Sequence, residues 1–169
     1  MKRLFIIVSI SLILGLGFRK YVLGGISIAT GSMEPSLKVG NFYLVNRFVY
    51  RFHAPERGDI ILFSNPLDPE VGYVKRVIAI AGDDVEMREK KIYLNGQPLY
   101  EPYTQYLRSK EKLVGDTMSS VKVPEGKIFV LGDNRDVSDD ATVWRDEKTG
   151  ERILFIPVSS VWGRLIMPL

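Results

Sequence analysis

From Gly72 to Leu99 the chain reads GYVKRVIAIAGDDVEMREKKIYLNGQPL, and this stretch carries the pattern that decides the fold. Side chains alternate between the two faces of an extended strand. Tyr73–Ile80 therefore sets Tyr73, Lys75, Val77 and Ala79 on one face, with Val74, Arg76, Ile78 and Ile80 on the other. Short strands follow at Asp84–Met87 and Ile92–Leu94. Asn95-Gly96, just ahead of Gln97-Pro98-Leu99, is a two-residue hairpin turn signal. The same reading outward gives strands at Ser27–Thr30, Phe42–Phe48, Ile60–Ser64, Ser120–Val123, Ile128–Leu131, Arg152–Ile156 and Val161–Ile166. Pro98 and Pro124 suit strand edges or turns, since proline cannot donate to a ladder. Tyr100 to Thr117 is polar and tyrosine-rich, an excursion from the main sheet. The fold expected from these runs is mainly β.

Ahead of this region Lys2-Arg3 precedes Leu4–Phe18, fifteen uncharged residues. As a helix that run is about 22 Å long, short of a hydrocarbon core of about 30 Å. Counted on through Leu23, with Arg19 and Lys20 snorkelling to the headgroups, it reaches about 30 Å. The reading favoured is a retained anchor over residues 1–23 and an exported domain over residues 24–169. A cleaved secretory signal is the rival. It is disfavoured because Arg19, Lys20 and Tyr21 separate the apolar run from the small residues Ser27 and Ala29.

Composition narrows the chemistry. The chain has 169 residues, a net charge of +3 and no cysteine, which excludes disulfides, cysteine-based zinc sites and a thiol nucleophile. No basic run, zinc knuckle or stacking motif points to nucleic acid. His53 is the only histidine. Any Ser-His-Asp triad would have to run through it, and it lies in a polar turn that reads as an exposed loop.

Four stretches stand out: Gly31-Ser32-Met33-Glu34-Pro35-Ser36-Leu37, Arg57-Gly58-Asp59-Ile60, Tyr73-Val74-Lys75-Arg76-Val77-Ile78, and Gly132-Asp133-Asn134-Arg135-Asp136-Val137-Ser138-Asp139-Asp140. Taken singly, each has a plain structural reading. Ser32 could sit in an ordinary loop, Lys75 on a solvated strand face, and the last stretch in a polar turn or a metal-binding loop. In this order and spacing, and behind an apolar segment, they closely resemble the bacterial type I signal peptidases. The resemblance runs from the apolar segment to about Asp140.

That resemblance implies a compact, β-barrel-like catalytic domain of antiparallel sheets behind one transmembrane helix. It implies a serine endopeptidase of the bacterial cytoplasmic membrane, facing outward, that removes signal peptides after small residues at −1 and −3. Ser32 would be the nucleophile and Lys75 its base. A lysine is protonated at neutral pH unless burial lowers its pKa, so the apolar neighbours Val74, Val77 and Ile78 would help make the base. Ser138 would hydrogen-bond and orient the lysine amine, and Thr30 would be a hydroxyl donor to the oxyanion. Ile26, Ile28, Met33, Leu37 and Tyr73 match the substrate-pocket walls. Asp133, Asn134, Arg135, Asp140 and Arg76 would support the loop that carries Ser138. The implied partners are preprotein signal peptides, the lipid bilayer and the secretion translocon, with no cofactor and no metal.

The family commonly continues its last stretch Asp-Ser-Arg, whereas Asp140-Ala141-Thr142 stands here. That leaves Arg76 or Arg145 to pair with Asp140. A conjugation-type maturation peptidase with the same dyad, and an inactive membrane-anchored β-domain scaffold, are the alternatives. A self-cleaving repressor would need a DNA-binding domain, for which residues 1–23 leave no room.

Overall fold

The structure, a computed structural model, describes residues 2–21, 23–108 and 110–166. Helix α1 (Lys2–Tyr21) leads into strand β1 (Leu23–Ser27). Ten strands follow: β2 (Phe42–Asn46), β3 (Ile60–Ser64), β4 (Gly72–Ile80), β5 (Asp84–Arg88), β6 (Lys91–Leu94), β7 (Gln97–Pro98), β8 (Met118–Lys122), β9 (Lys127–Leu131), β10 (Ile156–Pro157) and β11 (Val161–Ile166). They form a seven-stranded sheet ordered β1-β2-β11-β3-β4-β9-β10 and a four-stranded sheet ordered β7-β6-β5-β8, antiparallel throughout. The fold is mainly β, as expected, although the larger sheet is open at β1 and β10 rather than closed into a barrel.

Strand β3 explains how the sheet holds together. Ile60, Ile61, Leu62 and Phe63 are all buried because β3 lies between β11 and β4 and is covered on both faces. Ile61 and Phe63 enter the larger core, which runs on between the sheets to Val85, Met87, Ile92 and Met118. Ile60 and Leu62 face a smaller cluster with Ile28, Met33, Leu37, Val45 and Leu165. Burial on both faces turns an alternating pattern into a continuous apolar run.

Strand β4 departs from simple alternation. Val74 packs with the smaller cluster, but Val77, Ile78 and Ala79 all enter the larger one. A bulge where β4 meets β9, between Val77 and Ala79, is the reason. It adds a residue to one strand and turns Ile78 away from the face of Arg76. Asn95-Gly96 does make the two-residue turn, with φ of 52° and 79°. The Asn95 side chain accepts from Asp84 N–H at 2.8 Å and donates to Asp83 at 2.9 Å.

Two expected strands are corrected. Ser27–Thr30 is strand only at Ser27. Beyond it, Ile28 exchanges backbone hydrogen bonds with Gly40 and Asn41, and the chain turns toward Ser32. Arg152–Ile156 is strand only at Ile156, with Arg152 forming an isolated bridge to Arg145. The polar excursion has no regular strand among its described residues, but Gln105 bridges to Asn134.

The apolar amino-terminal run is helical in α1, and Leu4, Phe5, Ile7 and Leu12 are exposed. Among the described residues no helix is long and apolar enough to cross a membrane. The expected transmembrane helix is thus found only as a helix. Its uncharged stretch stops at Arg19, about 8 Å short of a full hydrocarbon core.

Candidate active site

Ser32 sits in a single 3-10 turn, Gly31–Met33, between β1 and β2. Met33 and Leu37 fix that turn by burying in the smaller core cluster, and Leu37 N–H donates to Met33 O at 2.8 Å. Lys75 lies mid-strand in β4, opposite Ile61 of β3, and is only 3% exposed. Its Nζ is 2.9 Å from Ser32 Oγ, in hydrogen-bonding contact across 43 residues of sequence. Thr30 Oγ1 lies 3.3 Å from the same Oγ.

Burial lowers the Lys75 pKa from its ordinary value, because a desolvated ammonium loses its hydration. The carboxylates of Asp140, Asp139 and Asp133 pull the other way, and burial prevails. A neutral amine can accept the Ser32 hydroxyl proton through the contact already formed.

The loop from Gly132 to Asp140 closes over this pair. Asn134 N–H donates to Ser32 O at 3.0 Å and Asn134 Nδ2 to Gly31 O at 3.2 Å, so one residue holds both peptide groups of the turn. Gly132 allows the close approach. A Cβ there would stand 2.5 Å from Ser32 O and 2.2 Å from Ser138 Oγ. Asp133 receives Arg76 through both guanidinium arms, at 2.8 and 2.6 Å, and Arg76 also reaches Gly58 O and Ser36 Oγ while stacking on Tyr103.

Three expectations change here. Asp140 pairs with neither Arg76 nor Arg145. Its Oδ2 accepts from Gly132 N–H at 3.0 Å, and its Oδ1 from Thr142 N–H at 3.1 Å and Thr142 Oγ1 at 2.8 Å. Thr142 thus holds the aspartate itself, while Arg145 reaches Gly150 O. Ser138 Oγ is buried with no partner among the described residues, so the expected bond to Lys75 is not formed. Leu37 is core beneath the turn rather than pocket wall.

A groove of about 400 Å³ opens beside Ser32 and Lys75. Ile26, Ile28, Met33 and Tyr73 line it. Ala29, Val71, Val74, Val137 and Asp139 also line it, with no signal in the sequence that marks them for it. His53 is exposed in a loop away from this lining. Among the described residues, no group of His, Cys, Asp and Glu could hold a metal ion.

The polar excursion braces the loop in a way no sequence signal marked. Arg135 forms a buried ion pair with Glu101, each side chain 6% exposed. It also donates to Tyr106 Oη at 3.3 Å and to Gly132 O at 3.1 Å. Gln105 exchanges backbone hydrogen bonds with Asp133 and Arg135. Glu101→Ala would strand a buried guanidinium and is expected to destabilise the fold by about 3–5 kcal/mol. Urea unfolding of wild type and variant checks this, and a loss within experimental error would contradict it.

The family model described as signal peptidase, peptidase S26, matches residues 1–169. A signal peptidase I from Pseudomonas aeruginosa is 31% identical over 182 residues, covering 86% of this chain and 64% of that protein. A probable signal peptidase I-1 from Synechocystis sp. is 34% identical over 171 residues, covering 92% of this chain and 82% of the relative. The crystal structure of a signal peptidase I from Enterococcus faecalis V583 superposes with a TM-score of 0.50 at 35% identity, covering 68% of this chain and 98% of that one. The chain spans just under two thirds of the length of the Pseudomonas relative.

Proposed function

The chain belongs to the signal peptidase family, peptidase S26, and from that premise we propose that it is a type I signal peptidase working through Ser32 and Lys75. The observation that carries the reading is the 2.9 Å contact between Lys75 Nζ and Ser32 Oγ at a buried position beside an open apolar groove. Neutral Lys75 takes the hydroxyl proton as Ser32 Oγ bonds to the scissile carbonyl carbon. The oxyanion that forms is met by Ser32 N–H, at the start of a turn where no helical acceptor is available, and by the Thr30 hydroxyl. Collapse breaks the C–N bond, and the Lys75 ammonium returns its proton to the leaving amine. The signal peptide is left as an ester on Ser32. Lys75 then deprotonates a water that attacks the ester carbonyl, and its ammonium returns the proton to Ser32 Oγ as the C–O bond breaks and the signal peptide leaves.

The groove supports an extended peptide as substrate. One wall is the run Ile26–Gly31, which leaves the edge strand β1. The other is Gly72–Lys75, the part of β4 that β9 leaves unpaired. Free strand edges take up a peptide by main-chain pairing, and the shallow walls of Ile26, Ile28, Met33 and Tyr73 favour small side chains. Ser138, whose buried hydroxyl beside Gly132 has no partner among the described residues, orients Lys75 once that hydroxyl turns to the amine in the working enzyme. Asp133, Asn134, Arg135, Asp140 and Arg76 hold the loop.

Residues 1–23 form the membrane anchor and residues 24–169 the catalytic domain, on the outer face of the bacterial cytoplasmic membrane. A helix apolar on several sides and exposed suits lipid. Phe42 and Leu44 on β2 present further exposed apolar surface beside β1. The test is to incubate the full chain in lipid vesicles with an exported preprotein and to sequence the product's new amino terminus. Cleavage after a small-x-small motif is expected, and an intact preprotein would overturn the reading.

A further inference from the structure

Asp139 is the one carboxylate among the residues lining the groove, whose other walls are largely apolar. It is exposed, on the loop that covers Ser32, and Tyr73 Oη donates to its Oδ2 at 2.9 Å. The Tyr73 ring packs against buried Trp144, with centroids 6.2 Å apart, so the donor that orients the carboxylate is itself held in place. That donor brings no positive charge. Burial, then the bond to Asp139, pushes the phenol pKa up and keeps the hydroxyl neutral.

The other acids near the dyad are matched. Asp133 is paired with Arg76, and Asp140 accepts three hydrogen bonds from Gly132 and Thr142. Among the described residues Asp139 makes no salt bridge. The groove therefore carries one oriented negative charge without a counterion, on a wall that a bound peptide must pass.

We propose that Asp139 is a specificity-determining residue that favours a cationic side chain, and disfavours an anionic one, in the part of the substrate peptide passing Tyr73 and Val137. The assignment rests on the peptidase reading given above. Attraction of one sign and repulsion of the other both contribute to selection. For a partly exposed pair the two effects together amount to roughly three- to tenfold between lysine and glutamate guests.

The test uses signal-type peptides that keep the small residues at −1 and −3. Lys, Gln or Glu is placed in turn at each other position flanking the cleaved bond. The wild-type chain is expected to show, at one or two adjacent positions, a kcat/KM order of Lys over Gln over Glu. The Lys/Glu ratio should shrink as salt is raised, since screening acts on exposed charges. In Asp139→Asn the ratio should fall to near one, and in Asp139→Glu it should be restored. Each ratio is taken within one variant at one pH, so a change in the reactivity of Lys75 cancels. Binding of the same peptides to Ser32→Ala reads the preference without turnover. If all guests are cut alike, or if Asp139→Asn keeps the wild-type ratio, the assignment of Asp139 fails while the peptidase reading stands. If no peptide is cut or bound, both fail.

Discussion

Ser32→Ala is expected to lower preprotein cleavage by about a millionfold, the general scale for removing a serine nucleophile from its catalytic unit. The geometry makes the prediction specific. Ser32 Oγ is the only hydrogen-bond partner of the Lys75 amine among the described residues, and the Ser32 carbonyl is held by Asn134. The variant loses one oxygen while the backbone of the turn stays pinned, so peptide binding should survive the loss of turnover. Single-turnover cleavage and equilibrium binding, measured on the same vesicle-bound protein, separate the two effects. Cleavage above about one per cent of wild type would exclude Ser32 as the nucleophile.

Lys75→Met should abolish turnover on a similar scale, about 10⁴-fold or more, yet make the protein more stable. Methionine fills nearly the same space in β4 and carries no charge to desolvate. The direction of the pH effect follows from linkage. The folded Lys75 pKa lies below the ordinary 10.5. Between that lowered value and 10.5 the unfolded chain holds a proton that the folded chain does not. Wild-type stability therefore gains from this group as pH rises through that window and levels off above it. Activity rises over the lower part of the same range, as the amine becomes free to accept a proton. The methionine variant should lose that component of the pH dependence and melt higher than wild type at neutral pH. A variant that melts lower, or that keeps a wild-type pH–rate profile, would show that Lys75 is not the desolvated base.

Most of the strands were legible because their signals are local. Alternation in Tyr73–Ile80, the continuous apolar run Ile60–Phe63 and the Asn95-Gly96 turn each depend on neighbours within a few residues. The errors fall where distant contacts decide. Ser27–Thr30 reads as extended, yet a bond from Ile28 N–H to Asn41 O and one from Gly40 N–H to Ile28 O tie the chain down where the strand ends. Simple alternation puts Ile78 on the wrong face because the bulge is set by pairing with β9. Leu37 matches a pocket wall, but the turn that sets Ser32 against the groove buries it completely.

By itself, the sequence determined a mainly β chain with an apolar helical start, no thiol chemistry, and a serine and a lysine placed in the stretches that mark this family. Only the tertiary structure decided that Ser32 and Lys75 touch, since 43 residues separate them and the antiparallel pairing of β3 and β4 sets where the lysine lies. It alone set the balance at that lysine, because burial by one part of the chain opposes carboxylates from another. It set Asp140 against Gly132 N–H, recruited Glu101 to a loop more than thirty residues away, and left Asp139, among the described residues, without a salt bridge on the groove wall. Desolvation and ion pairing depend on what surrounds a group in space, and a sequence read along its length holds that information only after it has folded.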